Sequence, residues 1–411
     1  MSLSDFTPSS LRISVVIPVY NQGRFLGSAL KSVIDQTYTP EEIIVVDDGS
    51  TDETPEVALS FGSQIRYVRQ DNRGLPCARN AGIANASGHL VAFLDSDDVW
   101  MPEHLSVLAR AATVHPEGRA WFTGIRYIDD KGQDLPQAIK TQDASYELGY
   151  LQLLRSNTVF PSTVMISRQV VLDLGGFSED HELLRGCEDW DLWIRLTRQG
   201  CMIGVSSCTV GYRIHGSSAS SHIVHTLQAA KRVMEREVGP DDGQMQLWPA
   251  IRRRGWGGAY SFCAITALVR GGDWQACAEW LGRACIVDPT LNDDEGLFYE
   301  LALGQQPFGY RGSLVQTDID ASIRRTTLLL RTIGADMNLD GTAMRMISRT
   351  AWQAVARVAY NLGRVSIARE ALYHLMVSDL RHFASGQVLG LLVRSTVAWP
   401  IVKWRRQRRQ T

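Results

Sequence analysis

The chain has 411 residues, 45% of them hydrophobic, and 42 Lys and Arg against 44 Asp and Glu give a formal net charge of −2 at pH 7. This is enough chain for two or three domains of the usual ~100–200 residues, with the composition of an ordinary globular protein. The near-neutral balance removes any global electrostatic argument for nucleic-acid binding, and the seven cysteines, odd in number and never in a Cys-x-x-Cys pair, argue against a disulfide framework and against zinc.

Residues 1–12 lack the basic stretch followed by an apolar one that marks a secretory signal. No later window approaches the ~18–20 uninterrupted apolar residues of a spanning helix, so a cytoplasmic protein is expected. Ile13-Ser14-Val15-Val16-Ile17-Pro18-Val19 is an apolar, β-branched run, and Tyr20-Asn21-Gln22-Gly23 breaks it before a helical pattern at Phe25, Leu26, Ala29, Leu30, Val33 and Ile34. The same grammar follows at once, with strand Ile43-Ile44-Val45-Val46, polar turn Asp47-Asp48-Gly49-Ser50-Thr51-Asp52 and a short helix through Phe61. It recurs with Ile65-Arg66-Tyr67-Val68 ahead of a helix over residues 75–86, and with Leu90-Val91-Ala92-Phe93-Leu94 ahead of a helix over residues 102–114. Strands alternating with helices at this spacing predict an α/β unit, a mostly parallel sheet covered on both faces, with ligands at the carboxyl ends of the strands.

The fourth strand ends in Asp95-Ser96-Asp97-Asp98, three carboxylates within four positions. Carboxylates this close repel one another, and the usual relief is a hard divalent ion whose other ligands are waters and substrate phosphates. The alternative is a solvated acidic turn in which Asp98 caps the next helix. In the second loop Asp47 or Asp48 can accept from a ribose hydroxyl or a base N–H, or an Asx turn can account for the same residues. Arg79, early on the third helix, either neutralises phosphate or pairs with one of the acids.

Val16-Ile17-Pro18-Val19-Tyr20-Asn21, Val46-Asp47-Asp48-Gly49-Ser50-Thr51-Asp52, Arg79-Asn80-Ala81-Gly82-Ile83 and Phe93-Leu94-Asp95-Ser96-Asp97-Asp98 together resemble the family 2 glycosyltransferases of the GT-A fold, in that family's order and spacing. The resemblance implies a Rossmann-like mixed, mostly parallel sheet flanked by helices. It also implies a nucleotide-diphospho-sugar donor, a UDP-sugar first among them, held by Pro18, Tyr20, Asn21, Asp47, Asp48 and Arg79. Asp95-Ser96-Asp97 then stands as the family's Asp-x-Asp motif, with Asp95 and Ser96 on the donor and a Mg2+ or Mn2+ ion held by Asp97 or Asp98.

Downstream, Gly186-Cys187-Glu188-Asp189-Trp190-Asp191-Leu192-Trp193-Ile194-Arg195-Leu196 has apolar residues at helical spacing. That puts Glu188 and Asp189 on a first turn, where the helix dipole favours ionised carboxylates; the bland reading is that they cap and solvate a helix. The segment is similar to the family's Glu-Asp motif, preceded by Gly175-Gly176-Phe177, and the match implies Asp189 as the general base of an inverting transfer. The acceptor would be a carbohydrate, lipid-linked or protein hydroxyl. A strand over residues 201–207 leads to Tyr212-Arg213-Ile214-His215, which in related enzymes borders the diphosphate, so Arg213 is expected on the donor and His215 on phosphate or metal. The Gln-x-x-Arg-Trp motif of processive synthases is missing, which implies single additions.

These motifs belong to an expected catalytic domain over residues 1–220. Beyond it the strand grammar gives way to helical patterns, and Gly272-Asp273-Trp274 through Asp288-Pro289 looks like a degenerate tetratricopeptide unit. An all-helical accessory domain is expected over residues 221–385. Residues 386–411 form an amphiphilic basic tail with Trp399, Lys403, Trp404, Arg405, Arg406, Arg408 and Arg409. Tryptophans at an apolar-to-basic boundary suit a headgroup layer, so a peripheral contact with the inner membrane face is expected, against a merely solvated tail. Assembly of cell-surface polysaccharide is the family-level expectation, with protein glycosylation behind it. Two rivals are weighed: a sugar-nucleotide nucleotidyltransferase would carry a Gly-rich, basic first loop, which Tyr20-Asn21-Gln22-Gly23 is not, and a non-catalytic binding module is disfavoured by two intact acidic motifs.

Overall fold

The computed structural model describes residues 11–135, 146–180, 186–216, 223–269, 271–306, 317–337 and 339–379, and the chain divides into two compact units after Glu237. In the first unit β1 (Ile13–Val19), β2 (Glu42–Asp47), β3 (Arg66–Arg69) and β4 (Leu90–Phe93) alternate with α1 (Gly23–Ile34), α2 (Thr54–Leu59) and α3 (Leu75–Asn85). Every residue of β1 and β4 is buried, as expected for parallel strands with helices on both faces. Ile13, Val15, Ile17 and Val19 of β1 join Leu26, Ala29, Leu30 and Val33 of α1 in one core cluster. Val16, pointing the other way, meets α3, where a Cβ added to Gly82 would lie 2.2 Å from Val16 Cγ1. Glycine is therefore what lets α3 approach the sheet. Alanine gains ~1 kcal/mol over glycine inside a helix, but overpacking costs about 1–3 kcal/mol. Gly82→Ala is expected to lower the denaturant midpoint, and Val16→Ala in the same chain to raise it again.

Among the described residues the sheet has nine strands, in the order β3-β2-β1-β4-β8-β6-β9-β5, with β7 on β9. The new members are β5 (Val99–Trp100), β6 (Ala120–Ile128), β7 (Tyr146–Leu148), β8 (Val164–Ser167) and β9 (Met202–Arg213). Strands β3, β2, β1 and β4 are parallel as the alternation predicts; β8 then runs antiparallel to both β4 and β6, and β6 pairs parallel with β9. The antiparallel strand β8 thus separates two parallel parts, β3-β2-β1-β4 and β6-β9. The chain leaves β1 toward β2 and β3 and returns to its other side as β4, which makes the loops after β1, β2 and β4 neighbours at a topological switch point.

Two local expectations are corrected. The helix after the acidic stretch, α4 (His104–Val114), begins later than residue 102 and has no side-chain cap, because β5 intervenes and pairs with Gly211 and Val210 of β9. Strand β9 runs unbroken through Arg213 rather than stopping at residue 207. The unit is completed by α5 (Tyr150–Arg155), α6 (Arg168–Asp173), α7 (Glu188–Thr197) and α8 (Ile223–Val238). The first unit therefore extends beyond the expected boundary at residue 220: Glu237, near the end of α8, accepts from the Tyr150 hydroxyl at 2.6 Å and from Arg198 Nε at 2.7 Å.

The second unit is helical throughout its described residues: α9 (Ala250–Val269), α10 (Trp274–Val287), α11 (Glu295–Leu303), α12 (Ile319–Asp336), α13 (Gly341–Asn361) and α14 (Val365–Ser378). The pairs α9 with α10 and α13 with α14 pack together across short turns, and aspartates at positions 273, 294, 318 and 340 cap helix N-termini with their side chains. The tail over residues 386–411 lies outside the described residues, and among those described no helix is long and apolar enough to cross a membrane. All seven cysteines are free thiols.

Candidate active site

Three loops at the switch point are laced to one another. Asn21, which takes a φ of +50°, donates its N–H to Ser50 Oγ at 3.0 Å and accepts the Thr51 N–H on Oδ1 at 2.8 Å. Asp47 closes the expected Asx turn by accepting the Ser50 N–H at 2.8 Å, with Gly49 at φ +80° inside it, and its other oxygen accepts from the Tyr67 hydroxyl. Asp48 accepts from Gln70 Nε2 and the Arg73 N–H on Oδ1 and from the Gly74 N–H on Oδ2, all within 2.9 Å. Asp47 is 0% and Asp48 3% exposed, and their oxygens fasten these loops together. Pro18 is likewise buried, in register with Val46 inside the sheet, whereas Tyr20 is 47% exposed above it.

The acidic stretch after β4 sorts its three carboxylates by their partners. Asp98 is 1% exposed; its Oδ2 accepts from Ser162 Oγ at 2.6 Å and its Oδ1 from the Arg213 N–H at 2.9 Å. Burial, then the charges of Asp97 and Asp95, push its pKa well up, and burial raises that of Asp95 as well. Asp98 does not cap the next helix, whose N-cap position is Glu103; both oxygens of Asp98 accept from protein donors. Asp97, with its side chain 22% exposed, faces His215 Nε2 across 2.9 Å. Ser96 is 6% exposed.

Arg79 is the hinge of the cluster. It is 1% exposed, NH2 lying 2.7 Å from Asp95 Oδ1 and NH1 2.8 Å from Glu188 Oε1, and these two charges raise its pKa against the opposing effect of burial. Of the alternatives the sequence left open, pairing with acids is the one the structure shows. Glu188 stands on the first turn of α7, so this one guanidinium brings α7 to the carboxyl end of β4. Asp189, next on that turn, accepts from Asn157 Nδ2 at 3.2 Å and from the Trp190 N–H at 2.7 Å. Burial and then the charge of Glu188 raise its pKa to about 7. Trp190, Trp193, Ile194 and Leu196 anchor the helix in the core, and Asp191 pairs with Arg195 at 2.8 Å, both as the spacing predicts.

Arg213 is also occupied: Nε donates to the Asp97 carbonyl at 2.6 Å and NH1 to the carbonyls of Asp129 and Asp130, with the residue 4% exposed. These bonds fasten its side chain to the acidic loop. His215 is buried against Phe25, ring centroids 4.8 Å apart, and its Nδ1 lies 3.4 Å from Arg24 NH2. Arg24, Phe25, Asn157, Ser162 and the pairing role of Glu188 escaped the sequence reading. Phe25 shows there only as a core position of α1, and residues 156–163 carry no periodic signal.

Among the described residues no group of three or more His, Cys, Asp or Glu is arranged to hold a metal ion. Asp97 and His215 offer a partly exposed carboxylate beside an imidazole nitrogen, a donor set that suits a divalent ion only if diphosphate oxygens and water complete its shell.

The sequence model of the family described as Glycosyl transferase family 2 matches residues 14–174. An uncharacterized glycosyltransferase of Rickettsia felis is 32% identical over 221 residues, 51% of this chain but 35% of the relative, so this chain spans about a third of that protein. A putative teichuronic acid biosynthesis glycosyltransferase of Bacillus subtilis, TuaG, is 30% identical over 220 residues, 51% of this chain and 82% of the relative. The crystal structure of S. aureus TarS 1-349 in complex with UDP-GlcNAc is similar with a TM-score of 0.48 at 16% identity, covering 88% of this chain and 91% of that one. The family match runs from β1 to the end of α6, the TuaG relative is covered over most of its length, and on that ground the chain belongs to glycosyl transferase family 2.

Proposed function

We propose that the first unit transfers a glycosyl group from a nucleotide-diphospho-sugar to an acceptor hydroxyl, with inversion, in the assembly of a cell-surface polysaccharide. The observation that carries this reading is the Arg79 bridge, which ties Asp95 of the acidic loop and Glu188 beside Asp189 to a single guanidinium. Asp189 is the general base: it takes the proton of the acceptor hydroxyl as that oxygen attacks the anomeric carbon. The bond from that carbon to the diphosphate oxygen breaks, and its electron pair leaves on the nucleoside diphosphate. A pKa near 7 suits the task, because a base poised there is ionised at working pH yet still basic enough to accept a proton. Asp97, oriented by His215, is the carboxylate on which a Mg2+ or Mn2+ ion would sit, and such an ion would neutralise charge on the diphosphate. The name of the Bacillus subtilis relative, teichuronic acid biosynthesis, favours polysaccharide over protein as the acceptor class.

The test is a panel of UDP-, GDP- and dTDP-sugars, assayed for binding and slow hydrolysis with Mn2+, with Mg2+ and with EDTA. One nucleotide is expected to bind in a metal-dependent way, and Asp97→Asn to weaken that binding by about tenfold, the worth of one charge-assisted contact. If no member of the panel binds with either metal, the reading is wrong.

A further inference from the structure

We propose that Arg24 is the side chain that grips the donor's diphosphate, an inference that rests on the glycosyl-transfer reading. Three arginines touch the cluster around the acidic loop. Arg79 and Arg213 are 1% and 4% exposed, and their bonded nitrogens lie on Asp95, Glu188 and the carbonyls of Asp97, Asp129 and Asp130. Their positive charge holds the protein together and is not presented outward. Arg24 is exposed, on the first turn of α1, directly after the loop that carries Tyr20 and Asn21. Its guanidinium stands over the Phe25 ring at 4.2 Å, with NH2 3.4 Å from Nδ1 of the same His215 whose Nε2 meets Asp97.

Phe25 and His215 therefore hold a planar cation beside Asp97, a carboxylate of the acidic loop whose side chain is 22% exposed. Arginine is suited to that place, because its fork meets phosphate oxygens in a bidentate manner and its charge persists at any working pH. The end of α1 itself cannot serve as the anion site: the N–H groups of Gln22 and Gly23 already bind Thr54 Oγ1 and Asp52 Oδ2. Since charge accumulates on the diphosphate as the glycosyl bond breaks, a guanidinium here stabilises the leaving group more than the bound donor.

The experiment titrates UDP, GDP and dTDP, and the matching nucleosides, into the full chain with Mn2+, for wild type, Arg24→Gln, Arg24→Lys and His215→Ala. The diphosphate that wild type binds is expected to bind Arg24→Gln more weakly by on the order of tenfold to a hundredfold, as for a lost hydrogen bond to a charged group. The nucleoside should bind both alike, Arg24→Lys should recover part of the loss, and kcat should fall further than KM rises. Unchanged diphosphate binding in Arg24→Gln overturns the proposal. So does a double variant with His215→Ala that binds no worse than His215→Ala alone, since Arg24 would then act only by steadying the imidazole. If wild type binds no nucleoside diphosphate, the donor reading itself falls and this inference with it.

Discussion

Asp189→Asn is expected to slow glycosyl transfer by about 10²–10⁴-fold while leaving nucleotide binding close to wild type. Loss of a positioned general base costs that much, and an amide of the same shape keeps one acceptor oxygen for one of the two donors, Asn157 Nδ2 and the Trp190 N–H, that now meet separate carboxylate oxygens. The pH profile gives an independent check with a definite sign. A base works only when deprotonated, and burial with the neighbouring Glu188 charge has moved Asp189 up to about 7. The wild-type kcat/KM should therefore rise with pH through about 7 and level off above it. The residual rate of Asp189→Asn should lack that acidic limb. Near-normal transfer by the variant would remove Asp189 from the reaction.

The largest effect on stability is expected from Arg79→Met. The substitution keeps an apolar stem of similar length but leaves Asp95 and Glu188 facing each other without the cation that both now touch at under 3 Å. Removing one partner from a buried ion pair costs about 3–5 kcal/mol, readable as a shift of the denaturant midpoint. Asp95, whose pKa burial already raises, can relieve the penalty by taking up a proton, so the deficit should shrink as pH falls from 7 toward 5, the direction opposite to ordinary acid destabilisation. Arg79→Lys should recover only part of the loss, since one ammonium cannot replace a fork that reaches two separate acids. A variant that unfolds at the wild-type midpoint would show that the bridge contributes nothing to stability.

Both predictions concern residues that the sequence singled out, yet it identified them unequally. Asp189 could be placed because the apolar spacing of Trp190, Trp193, Ile194 and Leu196 fixes it on a helical first turn, and α7 indeed begins at Glu188. Arg79 left two readings open, and its partner Glu188 is 109 positions away. The same distance in sequence hid the fate of Asp98, whose donors Ser162 and Arg213 are 64 and 115 positions off. Short β5 was missed as well: two residues carry no period, and only its pairing with β9 makes it a strand.

The sequence by itself determined the alternation of strands and helices, the edge of the sheet at which the loops gather, and the clustering of carboxylates after β4. Each of these is set by the period of apolar side chains or by turn residues a few positions apart. Only the tertiary structure decided which charged groups are spent on the protein and which remain at the surface. Asp47, Asp48, Asp98, Arg79 and Arg213 turned out to be bonded within the protein, while Asp95, Asp97 and Asp189 are partly exposed and Arg24 is exposed. A buried charge has to find compensating partners or shift its ionisation, and those partners come from wherever folding brings the chain back, which no local pattern records.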